Sequence, residues 1–313
     1  MHALNSDETR VDVIKQNNQP TRQSSARRSN VAMERETCAV ETRGDVALVT
    51  LNRPTRSNAL DGGMWNDLRE CFQFCIERRP LCVVLRANGK NFCAGIDVSD
   101  VKTLTSTLGS GGNGGNGENG NGSGCPGRAR ERLRVHIKSL QDVFSLLERI
   151  EAPVIACVQG ACYGAGIDMI TACDVRIAQR GVRFCVKEVD LGITADVGTL
   201  QRLTPIVGHG RAMELALTAR EFGDEEAIRI GLVTEVCDDA YGRGMELATA
   251  LAKKSPLALR GTKRILLKMR SEPDVERGLD YVATHNAAVL MSDDLKEAVK
   301  ARFEKREPVF SKL

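Results

Sequence analysis

Apolar residues recur with two different periods along this chain, and the switches between them mark its elements. From Thr37 to Leu51 the pattern predicts two short strands. The second is Val46–Leu51, closed by the turn signal Asn52-Arg53-Pro54. Met64, Trp65, Leu68, Cys71, Phe72, Cys75 and Ile76 then return every three or four residues, which is one buried face of a helix. Leu81–Leu85 is an unbroken apolar run of strand length, as expected for a strand covered on both sides. Val135, Leu140, Val143, Phe144, Leu147 and Ile150 predict a second helix, ending before Pro153. A strand at Val154–Val158, a glycine-rich turn from Gln159 to Gly166 and a helix over Ile167–Cys173 follow, then strand-like Val175–Ala178 and Phe184–Val186. Further on the chain reads as helical, near Arg211–Thr218, Asp224–Ile230, Tyr241–Lys253, Pro256–Met269, Val275–Leu290 and Asp294–Glu304. Strands alternating with helices, then helices alone, imply an α/β core with a helical C-terminal region.

Composition narrows the class without naming a function. The 313 residues are 42% hydrophobic, enough for one large core plus appendages. The net charge of +3, from 44 basic and 41 acidic residues, supplies no field that would select nucleic acid or a membrane surface. No apolar run approaches the roughly 20 residues that span a bilayer. The 11 cysteines are scattered through apolar runs without a Cys-x-x-Cys pair, and read as small buried hydrophobes of a reducing compartment. Four histidines, none at i, i+4 spacing to another, leave little to build a metal site, and none is expected.

Two segments stand apart. Residues 1–35 are polar and carry Arg22, Arg27 and Arg28, but Asp7, Glu8 and Asp12 argue against a mitochondrial presequence, so they read as a disordered arm. Residues 103–127 read as a flexible insertion, because ten of the chain's 29 glycines fall between Gly109 and Gly127 among Asn and Ser. The core then spans 36–255 and the helical region 256–310. At 311–313 stands Ser311-Lys312-Leu313, the tripeptide that a peroxisomal import receptor reads at a free C-terminus. It points to a peroxisome or the related glycosome rather than a mitochondrion.

Three carboxylates fall in otherwise apolar or glycine-rich surroundings. Asp168 lies in Gly166-Ile167-Asp168-Met169-Ile170, Glu188 follows Phe184-Cys185-Val186-Lys187, and Asp196 sits in Gly192-Ile193-Thr194-Ala195-Asp196-Val197-Gly198. A buried acid is costly unless paired or neutral, and burial raises its pKa toward the range useful for moving protons. Taken singly, each is as readily a cap or turn residue hydrogen-bonded to backbone N–H groups.

The surrounding motifs carry more information. Gln159-Gly160-Ala161-Cys162-Tyr163-Gly164-Ala165-Gly166-Ile167-Asp168, continuing through Ala172-Cys173-Asp174-Val175-Arg176, resembles the central signature of the enoyl-CoA hydratase/isomerase (crotonase) superfamily. So do Asn52-Arg53-Pro54 with Asn58-Ala59-Leu60, Phe92-Cys93-Ala94-Gly95-Ile96-Asp97, Gly198-Thr199-Leu200-Gln201-Arg202-Leu203, and Ala227 to Val233. Within it, Lys187-Glu188-Val189-Asp190-Leu191-Gly192 and Ala195-Asp196-Val197-Gly198 look like the Δ3,5-Δ2,4-dienoyl-CoA isomerases, whereas ordinary hydratases carry glutamate in place of Asp168 and glycine in place of Asp196.

The resemblance implies a spiral of ββα units with a helical C-terminal oligomerisation region, a trimer or hexamer of identical chains, and an acyl-CoA thioester as substrate. No separate cofactor is implied, CoA being part of the substrate. It implies Asp168, Glu188 and Asp196 as catalytic residues, with Glu188 serving C2, Asp196 serving C6 and Asp168 orienting the pair. The reverse assignment of Glu188 and Asp196 stays open at this level. It implies backbone N–H groups of Ala94 and Ala165 as the oxyanion hole, and Arg56 and Lys305 as CoA-binding cations. An enoyl-CoA hydratase is the nearest alternative, and a non-catalytic RNA-binding homologue using the N-terminal arm is one of another class.

Overall fold

The computed structural model describes residues 32–99 and 125–312. The element order is β1 (Ala32–Glu34), β2 (Cys38–Arg43), β3 (Val46–Leu51), α1 (Gly62–Arg78), β4 (Cys82–Ala87), α2 (Pro126–Arg149), β5 (Val154–Val158), β6 (Ala161–Tyr163), α3 (Ala165–Thr171), β7 (Val175–Gln179) and β8 (Arg183–Cys185). There follow α4 (Thr199–Val207), α5 (His209–Thr218), β9 (Phe222–Gly223), α6 (Asp224–Arg229), β10 (Glu235–Cys237), α7 (Ala240–Leu251), α8 (Pro256–Met269), α9 (Val275–Val289) and α10 (Asp293–Phe303).

A seven-stranded sheet, ordered β1-β2-β3-β4-β5-β7-β10, carries the core, and β6-β8-β9 form a second, small sheet. β3, β4, β5, β7 and β10 run parallel, with Val46 opposite Cys82, Val83 opposite Val154 and Ile155 opposite Val175. β1 and β2 continue the sheet as antiparallel strands. The near-continuous apolar runs of β3 to β5 follow from covering the sheet on both faces. Ala47, Val49, Val83, Leu85, Val154 and Ala156 face α1 and α2, where Trp65 and Phe144 stack with ring centroids 4.9 Å apart. Alternate residues Val46, Leu48, Cys82, Val84, Ile155 and Cys157 face α7. Each fully buried Val, Leu or Ile among them contributes about 1.5–3 kcal/mol by leaving water, and the alanines and cysteines less. Gly244 lets α7 lie this close, because a Cβ there would come 2.2 Å from Cys157 Sγ.

Chain corners between the two sheets are tight. At Gly160, between β5 and β6, φ is +60° and a Cβ would fall 2.0 Å from the Lys90 carbonyl oxygen, so no other residue fits. Nine of the cysteines are buried, Cys237 is half-buried and Cys125 is exposed, and all eleven are free thiols. Burial pushes the thiols of Cys75, Cys82, Cys93, Cys157 and Cys173 up to about 12, in keeping with inert packing residues.

Several elements differ from the sequence reading. β1 falls inside the stretch expected as an arm, of which residues 1–31 lie outside the described residues. α2 begins at Pro126, earlier than the periodicity announces, because its first turns are exposed and rich in arginine on every side (Arg128, Arg130, Arg132, Arg134). Its first two residues, Pro126 and Gly127, close the expected insertion, of which 103–124 lie outside the described residues. β6 hides inside the glycine-rich turn, and β9 and β10 are too short for a period to register. α4 was not foreseen, being nine residues long with Pro205 inside it.

Candidate functional site

Three backbone segments meet beyond the C-terminal ends of the parallel strands: the loop after β4, the turn from β6 into α3, and the 3-10 turn Glu188–Leu191 with the loop that leads into α4. Asn58 ties the first of these down. Buried, it accepts from the Arg53 N–H (2.8 Å) and donates to the carbonyls of Asn88 (3.0 Å) and Asn91 (2.9 Å). Asn91 in turn donates to Ser57 Oγ and accepts from the Ala161 N–H, both at 3.0 Å, so the β4 loop and β6 are locked together.

Asp97 anchors the same loop. It accepts from Arg53 (2.8 Å), Arg56 (3.3 Å) and the Ser99 hydroxyl (2.6 Å), and these hydrogen bonds, Ser99 first, hold its carboxyl well below the usual carboxylate range. Arg56 is therefore beside the loop that bears Ile96, with its guanidinium partly in solvent. Lys305 is exposed just past α10, and no contact among the described residues ties it to the three acids.

Two glycines let the segments converge. Gly95 (φ +97°) brings its loop so near α3 that a Cβ would lie 3.2 Å from the Tyr163 carbonyl oxygen and 3.8 Å from the Ala165 nitrogen. A Cβ on Gly164 (φ +49°) would lie 3.4 Å from Glu188 Oε1 and 3.7 Å from Gly95 Cα. Glu188 Oε1, the start of α3 and the Gly95 turn thus share one small space.

The donors at that space differ from expectation at one position. The Ala94 N–H donates to the Ser57 carbonyl at 3.0 Å, so it is not free to meet a substrate oxygen. Two residues on, the bridge between Leu60 and Ile96 uses the Gly95 carbonyl (2.8 Å from the Leu60 nitrogen) and the Asp97 N–H (2.8 Å from the Leu60 carbonyl). A parallel bridge leaves the central residue's own N–H pointing away from its partner. Among the described residues, the N–H groups of Ile96 and Ala165 have no acceptor, and they flank the Gly95 turn. Of the two expected donors, the Ala165 N–H is without an acceptor and the Ala94 N–H is engaged, while the Ile96 N–H stands open beside the same turn.

The three acids occupy graded environments. Asp168 is 0% exposed; its Oδ1 accepts the Thr199 N–H at the start of α4, and its Oδ2 has no hydrogen-bond partner among the described residues. Burial first, and the Glu188 carboxylate second, push its pKa up to about 7, against the pull of Thr199. Glu188 is 8% exposed, and burial with the nearby Asp196 raises it above the ordinary glutamate value. Asp196 reaches solvent, yet partial burial raises its carboxyl too, opposed by His136 of α2.

The loop carrying Asp196 is clamped at two successive carbonyls, those of Asp196 and Val197. Gln141 of α2 donates to the Asp196 carbonyl at 2.6 Å, and Arg202 reaches the Val197 carbonyl at 3.3 Å while paired with Glu148 at 3.1 Å. Gly198 (φ +131°) makes room for this arginine, since a Cβ there would meet Arg202 Nη1 at 1.9 Å. Asp174 accepts from Lys263 (2.7 Å) and the Val154 N–H (2.7 Å), a packing contact remote from this chemistry.

Comparison with known proteins agrees with this architecture. The family described as enoyl-CoA hydratase/isomerase matches residues 41–109 and 127–312, and the chain belongs to that family. It is 44% identical over 281 residues to the peroxisomal Delta(3,5)-Delta(2,4)-dienoyl-CoA isomerase of Arabidopsis thaliana, covering 87% of this chain and 95% of that one. It is 39% identical to the mitochondrial Delta(3,5)-Delta(2,4)-dienoyl-CoA isomerase of Homo sapiens, covering 85% of this chain and 79% of the other. Among solved structures, the enoyl-CoA hydratase of Bacillus anthracis superposes with a TM-score of 0.75 at 27% identity, covering 88% of this chain and 99% of that one. The ββα architecture with a helical C-terminal region is that of the family.

Proposed function

We propose that this chain isomerises 3,5-dienoyl-CoA thioesters to their 2,4-dienoyl isomers in fatty-acid β-oxidation. One observation carries the reading: Glu188 Oε1 stands against Gly164 beside the two free N–H groups, while a second raised carboxyl, Asp196, stands further out on the same clamped loop. With the thioester oxygen on the N–H groups of Ile96 and Ala165, C2 is the carbon next to Glu188. Glu188 takes the C2 proton; the C–H electron pair forms C1=C2 and charge moves onto the thioester oxygen, to be relayed through the diene to C6 in the next step, and each N–H at the oxygen is worth around 3 kcal/mol to the transition state. Asp196 in its acid form then delivers a proton to C6, four bonds from C2, and the charge collapses into the 2,4-diene. The exposed position of Asp196 lets it regain a proton from solvent.

Arg56 and, from a neighbouring subunit, Lys305 are the cations for the CoA phosphates in this reading. A homo-trimer or hexamer is supported by apolar side chains in water in the C-terminal helical region, Leu279 of α9 at 64%, Met291 of the turn after it at 88% and Phe303 of α10 at 84% exposed. The peroxisomal relative supports delivery to a peroxisome or glycosome. Fluorescent fusions with and without residues 311–313, located beside a peroxisomal marker, test that destination.

The deciding assay is incubation with a 3,5-dienoyl-CoA, followed by the absorbance of the conjugated 2,4-dienoyl product. Glu188→Gln and Asp196→Asn should each lower turnover by at least about 100-fold with CoA-ester binding retained. Hydration of a 2-enoyl-CoA without isomerisation would overturn the proposal in favour of a hydratase. Salt-sensitive RNA retention dependent on residues 1–35, without thioester turnover, would overturn it in favour of a binding protein.

A further inference from the structure

Among the described residues, three buried side-chain oxygens near the base have no partner within hydrogen-bond distance: Asp168 Oδ2, Glu188 Oε2 and Thr199 Oγ1, the Thr199 hydroxyl lying toward the Asp168 carboxyl. They are the buried side-chain atoms so left among the described residues, and Asp168 is the neighbour common to the other two. Its Oδ1 accepts the Thr199 N–H, and its N–H reaches the carbonyl of Gly164, the residue against which Glu188 Oε1 lies. Each such atom left unpaired costs about 1–3 kcal/mol, and three gathered around one carboxyl call for a common partner. One buried water makes about three hydrogen bonds, to just this kind of group.

We infer that a single internal water bridges Asp168 Oδ2, Glu188 Oε2 and Thr199 Oγ1, and that Thr199 is a positioning residue for the base. The inference deepens the isomerase reading, on which its kinetic test rests. Oδ1 receives the backbone N–H, so the proton of Asp168 sits on Oδ2 and is donated to the water. The water donates one O–H to Glu188 Oε2 and the other to Thr199 Oγ1. The Thr199 hydroxyl proton turns back to the Asp168 carboxyl, so each proton has an acceptor, and Glu188 is held with Oε1 turned toward the substrate. Asp168 thus acts as a neutral donor through the water, which accounts for an aspartate behind a glutamate without two adjacent negative charges. The other groups that bear on this trio are Arg202 of α4, the Cys93 and Cys162 thiols, Cys185, and Asp196 facing Glu188.

Removing the Thr199 hydroxyl takes away one of the water's three partners. With the water lost, the ionised base loses a donor, so its pKa rises. The acid limb of the kcat/KM profile therefore moves to higher pH, by roughly one unit. The test compares wild type, Thr199→Val and Thr199→Ser in three measurements. Crystal structures at a resolution that shows ordered water should reveal one within hydrogen-bond distance of all three oxygens in wild type and in Thr199→Ser. Infrared spectra at neutral pH should show the C=O stretch of a protonated carboxylic acid that vanishes in Asp168→Asn. The acid limb should shift in Thr199→Val and return in Thr199→Ser. The inference fails if wild-type crystals show no water contacting all three atoms, or if Asp168 gives no protonated band. It fails equally if folded Thr199→Val keeps the wild-type limb. The crystallographic and infrared results hold whatever the substrate, so they separate a failure here from a failure of the isomerase assignment.

Discussion

Asp168→Asn offers a test of the site's electrostatics that needs no substrate. The carboxyl is buried, and its pKa in the folded protein is raised from 3.8 to about 7. An acid with a raised folded pKa binds more protons folded than unfolded between those two values. Its contribution to stability is thus fully present below the unfolded pKa and is lost as pH rises through the folded value of about 7. The shift is about three units, and one unit corresponds to about 1.4 kcal/mol, so the loss has a ceiling of about 4 kcal/mol. Asparagine keeps the shape and the acceptor for the Thr199 N–H but cannot ionise. Urea denaturation of both proteins at matched pH should give a stability difference near its acid-side value at about pH 4. The difference should then tilt in favour of Asp168→Asn through pH 5 to 7 and level off above. Other titrating groups largely cancel in the difference, Glu188 excepted, and its relief from a neighbouring negative charge acts in the same direction. A difference independent of pH from 4 to 8 would mean that Asp168 titrates normally, and the buried neutral acid would have to be abandoned.

Two further outcomes probe the scaffold. Gly244→Ala should destabilise the fold by about 1–3 kcal/mol in the same denaturation assay, since its Cβ would be driven to 2.2 Å from Cys157 Sγ; adding Cys157→Ala should recover part of the loss. Leu279→Glu with Phe303→Glu, both at exposed positions on the C-terminal helices, should reduce the mass measured by light scattering to that of a monomer or smaller assembly, whereas an unchanged mass would remove this apolar face from the proposed interface.

What could be read from residues alone follows from which forces act locally. The strands β3, β4 and β5 and helix α1 declare themselves because one covered sheet imposes runs and one packed helix imposes a 3.6-residue stripe. Helix α4 escapes for the opposite reason: its start is set by Asp168, 31 positions away, accepting the Thr199 N–H, and no periodicity encodes that bond. The site divides the same way. Asp168, Glu188 and Asp196 are conspicuous as acids among apolar residues, and the structure sorts them by burial, from the closed Asp168 to the open Asp196. The proposed oxyanion donors are backbone groups, for which side-chain identity says almost nothing. Between Ala94 and Ile96 the choice rests on register, because Ser57 takes one N–H and the Leu60 bridge turns the other away from itself. A substitution at either side chain would leave its N–H in place, so the donors are better tested by disturbing the register. Leu60, fully buried beneath that bridge, is the residue whose packing holds the Ile96 N–H at the place proposed for the thioester oxygen.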